Sequence, residues 1–322
     1  MDLAPAPLFD DVAGGPPCGP PSGAAWWLRC CDGVRIRIGC WHPDGPAQGT
    51  VLLFPGRTEY IEKYGPAAAD LAARGFATVA IDWRGQGLAD RLVEDPRPGH
   101  VERFEDYQRD VEAMIAAATQ LDMPQPFHLL AHSMGGCIGL RALIDGVPVQ
   151  ACAFTGPMWG IRMPALLRPM AYGAAYIGPM LGLGARLMPS TKAQNYVETQ
   201  GFEGNALTGD PQMYAMMQAQ LAAHPELGLG GPSLKWMRAA LKETADLSRQ
   251  PAPAQPCVAF LGTCESIVSA DAIRNRMASW PGGQLEMVEG AQHEVMMEGP
   301  AIRAHVFDRI AALFSDATPA DI

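Results

Sequence analysis

Phe127-His128-Leu129-Leu130-Ala131-His132-Ser133-Met134-Gly135-Gly136 is the stretch on which the reading of this chain turns. An apolar run of the kind that forms a buried strand stops at small-X-Ser-X-small and reopens as a helix. This is the pattern of a nucleophile elbow, a strained strand-to-helix turn that lifts the Ser133 hydroxyl above the edge of a sheet. The flanking positions have to be small, because a larger side chain there would meet the neighbouring strand or helix. Ala131 stands where glycine is usual, and one methyl group is a mild departure. Taken alone, the match also fits a strand and a helix that happen to enclose a serine. The rest of the chain decides.

Outward from the elbow, Thr50 to Phe54 and Ala77 to Ile81 are further continuous apolar runs, as expected of strands covered on both faces. Helical patterns lie between them, at Tyr64 to Arg74 and at Phe104 to Leu121. In the second, Phe104, Tyr107, Val111, Met114, Ile115 and Ala118 share one stripe. Val149 to Phe154, Cys257 to Leu261 and Leu285 to Val288 supply three more strands. A helix near Ala270 to Trp280 separates the last two, and Ala301 to Phe314 reads as a closing amphipathic helix. Strands alternating with helices predict an α/β fold with a mostly parallel sheet and right-handed crossovers. Before it, Trp26 to Arg29 and Val34 to Trp41 read as a hairpin turning at Asp32-Gly33.

Two segments break this rhythm. Residues 1–23 are rich in Pro, Gly and Ala without a period, and are expected to be a loosely attached arm. From 157 to 253 no central strand is evident, which predicts a helical cap inserted into a core of 24–156 and 254–322. Pro169 to Ala185 carries no charge and has a transmembrane alternative. That run is at the short limit for a span and is interrupted by Pro169, Pro179 and several glycines.

A serine hydroxyl needs a base to take its proton, and the base needs an acid to orient it. After an elbow serine the chain order is Asp or Glu, then His. Of the seven histidines, His224, His293 and His305 follow Ser133. His224 falls in the insertion and His305 within the last helix. His293 follows the strand Leu285 to Val288, at the carboxyl end of the sheet where α/β sites assemble. Glu265 lies at the turn after the preceding strand and is the expected acid. Asp271 is the alternative, with an ordinary helix-start role. His132 reads as a packed histidine beside the sheet. An oxyanion requires two fixed N–H donors. The backbone N–H of Met134 is one, and Gly56 makes the loop tight enough for that of Arg57 to be the other. Pro55 has no N–H to offer.

The bulk properties narrow the partners. A net charge of −10 repels nucleic acid phosphates and disfavours purely electrostatic attachment to an anionic membrane, while leaving apolar docking open. Hydrophobic residues at 48% provide ample core. The first residues lack the basic-apolar-small pattern of a signal peptide, so the expected location is cytoplasmic, with peripheral contact at the inner membrane compatible with an apolar cap. The eight cysteines show no metal or redox spacing, and neither metal nor cofactor is expected.

Several segments together carry a family resemblance. Pro55-Gly56-Arg57-Thr58-Glu59 with Lys63-Tyr64 is the first, followed by Asp82-Trp83-Arg84-Gly85-Gln86-Gly87. Gly99-His100-Val101 with Arg103-Phe104 and Asp106-Tyr107 comes next, then Ala131 to Gly136, and last Gly156-Pro157-Met158-Trp159-Gly160-Ile161. The chain resembles the α/β-hydrolase superfamily, and within it the bacterial lysophospholipase and monoacylglycerol lipase branch. Pro55 and Glu265 stand where many relatives carry His and Asp, and neither change removes a required group. The resemblance implies a catalytic triad of Ser133, Glu265 and His293, and a cap whose apolar underside binds an acyl chain. Met158, Trp159, Leu166 and Met216 are the expected substrate contacts. With 17 methionines the chain has the flexible apolar side chains such a wall needs, although Met213, Met216 and Met217 equally suit a cap core. The implied activity is hydrolysis of a single-chain lipid ester. A carboxylesterase or an aminopeptidase-type relative, using Glu198, Glu203, Asp210 or Glu226 to hold an amine, is the second reading. A non-catalytic binding protein of the same fold is the third.

Overall fold

The computed structural model describes residues 2–9 and 19–317. Nine strands form one sheet: β1 (Ala4–Ala6), β2 (Ala24–Arg29), β3 (Arg35–Trp41), β4 (Thr50–Phe54), β5 (Ala77–Asp82), β6 (Phe127–His132), β7 (Cys152–Thr155), β8 (Cys257–Gly262) and β9 (Gln284–Val288). Their spatial order is β1-β2-β3-β5-β4-β6-β7-β8-β9. The pairs among β1, β2, β3 and β5 are antiparallel, and those from β5 through β4 to β9 are parallel. Every residue of β4 to β8 is buried. That accounts for their unbroken apolar sequences, since helices cover both faces.

On one face lie α1 (Gly65–Ala72) and, near the C-terminus, a long helix at Pro300–Ala317. They pack Leu71, Phe307, Ile310 and Phe314 with Val51, Leu53 and Ala153 of the sheet. On the other lie α2 (Tyr107–Gln120) and α3 (Met134–Ile144), with Val111, Met114 and Ile138 against Leu52, Phe54 and Phe154. The remaining helices in chain order are α4 (Arg168–Met180), α5 (Tyr196–Thr199), α6 (Pro211–Ala223), α7 (Leu234–Leu247) and α8 (Ala270–Ala278), which makes the C-terminal one α9.

Two boundaries differ from expectation. The inserted segment divides: α5 and α6 pack on Tyr60 and Met297, in the segments that follow β4 and β9, α4 packs on α7, and α7 belongs to the core layer. Its Trp236, Ala239, Ala240 and Leu247 pack in the same cluster as Phe104 and Cys137, and Arg141 of α3 pairs with its Glu243 at 2.7 Å. An amphipathic helix on a sheet layer and one in a cap have the same sequence period, so the pattern could not separate them. The N-terminal segment is tied down in its described part. Ala4, Pro5 and Ala6 pair with Trp27, Trp26 and Ala25, Arg37 donates to the Pro7 carbonyl at 2.8 Å, and Phe9 stacks on His224 at 3.7 Å. Residues 10–18, also within the expected arm, lie outside the described residues, as does Cys18. The cysteines among the described residues are unpaired. No helix of the described residues is long and apolar enough to cross a membrane, α4 included.

Candidate active site

The elbow is built as its sequence requires. Ser133 has φ 49° and ψ −116°, a left-handed conformation for a residue with a side chain. It is held there from both sides: its N–H donates to the Thr155 carbonyl at 3.1 Å, and its own carbonyl accepts from Gly136 and Met158. Gly135 has to lack a side chain, because a Cβ there would lie 2.1 Å from the Phe54 carbonyl oxygen.

Three side chains from three separate strand ends meet at this turn. The Ser133 hydroxyl lies 2.9 Å from His293 Nε2, and His293 Nδ1 lies 2.6 Å from Glu265 Oε2. His293 is in the loop after β9 and Glu265 in the turn after β8. The carboxylate accepts the Nδ1 proton, which leaves the Nε2 lone pair for the serine hydroxyl. The other oxygen of Glu265 accepts from the N–H groups of Ile267 at 2.6 Å and Val268 at 3.1 Å, which fixes its orientation. Burial alone would raise the Glu265 carboxyl, but the His293 contact and these two N–H donors outweigh it and hold the group below its usual range. Asp271 is exposed on α8 and pairs with Arg274.

The loop after β4 faces the start of α3. Within it the Gly56 N–H is taken by Glu59 and the Thr58 N–H by the side-chain oxygen of Gln86 at 3.1 Å. Trp83 and Gln86 also donate to the carbonyls of Pro55 and Gly56. Of the three N–H groups at 56, 57 and 58, that of Arg57 is the one no side chain among the described residues claims. Met134 supplies the first N–H of α3, where the helix dipole favours negative charge.

Beneath these groups sits a buried ionic cluster. Lys63 lies 2.6 Å from both Glu59 and Glu294, and His132 lies 3.2 Å from Glu294. Tyr64 donates to Glu59. The sequence reading missed this cluster and took His132 for a packed histidine. Glu59, Lys63 and Tyr64 are close along the chain, but His132 and Glu294 are distant from them and from each other. Ligand atoms of Glu59, His132 and Glu294 lie within 4.8 Å of one another, as a cation site would require. The Lys63 ammonium already supplies the cation.

A cavity of about 400 Å³ opens over Ser133 and His293. Its wall includes Met158, Val197, Met217, Leu221, Trp236 and Ile267, drawn from core and cap alike. The expected substrate contacts fare unequally. Met158 lines the cavity. Trp159 does not, because its ring packs on Phe154 and Trp280 and its Nε1 donates to the Gly136 carbonyl. Met216 and Met217 both pack in the cap cluster, and of the two only Met217 also lines the cavity. Leu166 is 90% exposed, outside the cavity altogether.

Residues 45–300 match the family described as Hydrolase_4, serine aminopeptidase, S33. Lysophospholipase L2 of Escherichia coli (strain K12) is 32% identical over 303 residues, spanning 87% of this chain and 83% of that one. The probable lysophospholipase L2 of Haemophilus influenzae is 26% identical, spanning 83% and 84%. Among solved structures, a soluble variant of monoglyceride lipase from Saccharomyces cerevisiae superposes with a TM-score of 0.71 at 18% identity, covering 90% of this chain and 95% of that one. With the sheet order and the elbow described above, the chain belongs to the Hydrolase_4 family of the α/β-hydrolase fold, in its lysophospholipase-like branch.

Proposed function

We propose that this protein is a serine esterase that removes the acyl chain from a single-chain lipid through an acyl-enzyme on Ser133. The observation that carries the reading is the continuous Ser133–His293–Glu265 hydrogen-bond chain opening into a mostly apolar cavity. His293 takes the Ser133 proton as Oγ attacks the ester carbonyl. The Arg57 and Met134 N–H groups receive the oxyanion, and the imidazolium returns the proton to the departing alkoxide. Water, deprotonated by the same histidine, then attacks the acyl-enzyme. A fatty acid leaves and the hydroxyl of Ser133 is restored. No cofactor enters this scheme.

The aminopeptidase-type alternative is less well supported. The cap acids it would use are engaged or turned elsewhere: Glu198 and Asp210 cap helices, and Glu226 lies beside His224. None of the four cap acids lines the cavity, and the acids that do, Glu59 and Glu294, are held by Lys63.

The exposed face of the cap favours contact with a lipid surface. Leu166, Met170, Ile177, Met180 and Leu181 are exposed on and beside α4, with Arg168 and Arg186 at its margins. Such a contiguous apolar patch suits insertion among lipid headgroups. The central test is Ser133→Ala: lipid-ester hydrolysis should fall at least about a thousandfold with folding intact. Retained activity, or failure of a fluorophosphonate to label Ser133 in the unmodified protein, would remove the reading.

A further inference from the structure

The charged groups around the cavity are held by local partners, with one exception. Glu59, Lys63 and Glu294 line it, and together with His132 they make a cluster of two acids and two bases. Glu265 accepts the Nδ1 proton of His293. Arg57 stands outside both sets. Among the described residues its guanidinium makes one hydrogen bond, from Nη1 to the Gly230 carbonyl at 2.8 Å, and lies over the Trp236 ring, 5.6 Å from its centroid. No carboxylate of the described residues lies within ion-pair distance of it. Glu59, two residues away in the chain, is spent on Lys63, Tyr64 and the Gly56 N–H.

Arg57 is half-buried, and a cation drawn even in part out of water is costly unless an anion answers it. A carbonyl and an aromatic face are a partial answer, and they use few of the five N–H donors of a guanidinium. Burial dominates the environment of Arg57 and lowers its pKa to about 10, so the group keeps its charge at neutral pH. Space has also been made for it. A Cβ at Gly99 would lie 3.3 Å from Arg57 Nη1, and Gly99 is pinned by hydrogen bonds to Gly231 and Ser233. Arg57 lines the same cavity as Ser133.

We infer that the Arg57 side chain is an anion subsite for the phosphodiester of a lysophospholipid headgroup, so that this enzyme takes phosphorylated single-chain lipids in preference to neutral monoacylglycerols. The inference rests on the lipid-ester reading above and deepens it. Acyl chain and ester are both uncharged, and the phosphodiester is the anion that such a substrate carries throughout the reaction. A guanidinium fork matches two phosphate oxygens at once. One residue then serves twice, its backbone N–H at the oxyanion and its side chain at the headgroup.

The test compares 1-palmitoyl lysophosphatidylcholine with 1-palmitoylglycerol in mixed micelles of one neutral detergent, using the full chain. The ratio of their kcat/KM values should fall at least about tenfold in Arg57→Gln and less in Arg57→Lys, since a bidentate contact of this kind is worth more than one factor of ten. A ratio within twofold of the unmodified enzyme overturns the inference. Should Arg57→Gln fail to fold, inhibition of the unmodified enzyme decides: hexadecyl-ether lysophosphatidylcholine should bind several-fold more tightly than hexadecylglycerol, and equal Ki values overturn it. If Arg57→Gln raises the Ki of palmitate and leaves the lipid ratio unmoved, the subsite serves the fatty carboxylate, and the headgroup assignment is wrong. Loss of the underlying reading looks different, because then Ser133→Ala still cleaves or neither lipid is cleaved at all.

Discussion

His132 Nε2 and Glu294 Oε2 face one another at 3.2 Å, one residue before the elbow serine and one residue after the histidine that meets it. On the other side of the ring, Nδ1 lies 2.9 Å from the Thr155 carbonyl. A carbonyl only accepts, whereas the Thr155 hydroxyl, also at 2.9 Å, can donate or accept. The imidazolium offers one proton to the carbonyl and faces the Glu294 carboxylate with the other, and it balances Lys63 and His132 against Glu59 and Glu294. Glu59 in turn holds the Gly56 N–H. The elbow, the loop of His293 and the loop after β4 thus share one buried ionic joint.

This joint makes stability depend on pH in a definable way. Burial alone would lower the His132 imidazolium, but Glu294 and Glu59 overcome it and raise the group above its ordinary value. A raised base stabilises fully below the unfolded value, about 6.5, and that contribution is lost as pH rises through the folded value. Glu294 is the converse case. Burial would raise it, yet His132 and Lys63 hold it well below 4.5, so its contribution is lost as pH falls through the folded value. The Tm difference between the unmodified protein and His132→Gln should therefore be largest near pH 6 and shrink toward pH 9. A difference that stays constant over that range would contradict the imidazolium.

Lys63→Met should be far more damaging than its conservative volume suggests. It leaves Glu59 and Glu294 buried together with a single cation between them. Breaking a buried pair in this way costs about 3–5 kcal/mol. Urea unfolding measures the loss, and a change under about 1 kcal/mol would mean that the cluster relaxes or takes up water.

Glu265→Gln keeps the shape of the acid but cannot stabilise the imidazolium that forms on His293. A drop in kcat of at least about a hundredfold is expected. Asp271→Asn, at a side chain that points into solvent, should leave kcat within twofold. Steady-state kinetics on a soluble ester separates the two, and a larger effect at Asp271 would refute the assignment of the acid.

Gly135→Ala tests the elbow itself. The added methyl would meet the carbonyl oxygens of Phe54 and Pro55 at 2.1 and 2.6 Å, so β4 and the loop after it have to move. Because Arg57 lies on that loop, kcat should fall by more than an order of magnitude, while KM changes little. Unchanged turnover would mean that the loop does not supply an oxyanion donor.

What could be read in the sequence were features with a local cause. An elbow needs small residues at fixed offsets, and strands covered on both faces need continuous apolar runs. The acid and base expected to serve an elbow serine sit just after strands, so position alone brings forward Glu265 and His293, the side chains that meet Ser133 in the structure. Facing directions had no such signature. Met216 and Met217 are adjacent, equally apolar and packed in one cap cluster, yet only the second also reaches the cavity wall. Trp159 and Leu166 are similar cases. The cluster of Glu59, Lys63, His132 and Glu294 joins chain positions up to 235 residues apart, as the numbers 59 and 294 show, and no periodicity connects them. β1 is three residues of Ala-Pro-Ala, too short to carry an alternation, and only its pairing with β2 defines it.

The cap offers a prediction in which two apolar residues behave differently. Met217 lies on the cavity wall, whereas Leu166 is 90% exposed on the outer face beside α4. A carboxylate at the wall is unfavourable wherever a long chain has to pass, and a short ester avoids it. Burying a methylene is worth about 0.8 kcal/mol, so losing several of them is a large factor. Met217→Asp should therefore lower kcat/KM for a palmitoyl ester at least about tenfold more than for a butyryl ester. Leu166→Asp should leave that ratio unchanged in detergent solution, but weaken co-sedimentation with lipid vesicles, since the substitution removes apolar area from the surface patch and adds a charge to it. If both substitutions change chain-length preference alike, the cap is a mobile unit whose outer face enters the cavity. If neither does, the acyl chain lies against the core residues Met158, Trp236 and Ile267, and the cap helices serve only to exclude water.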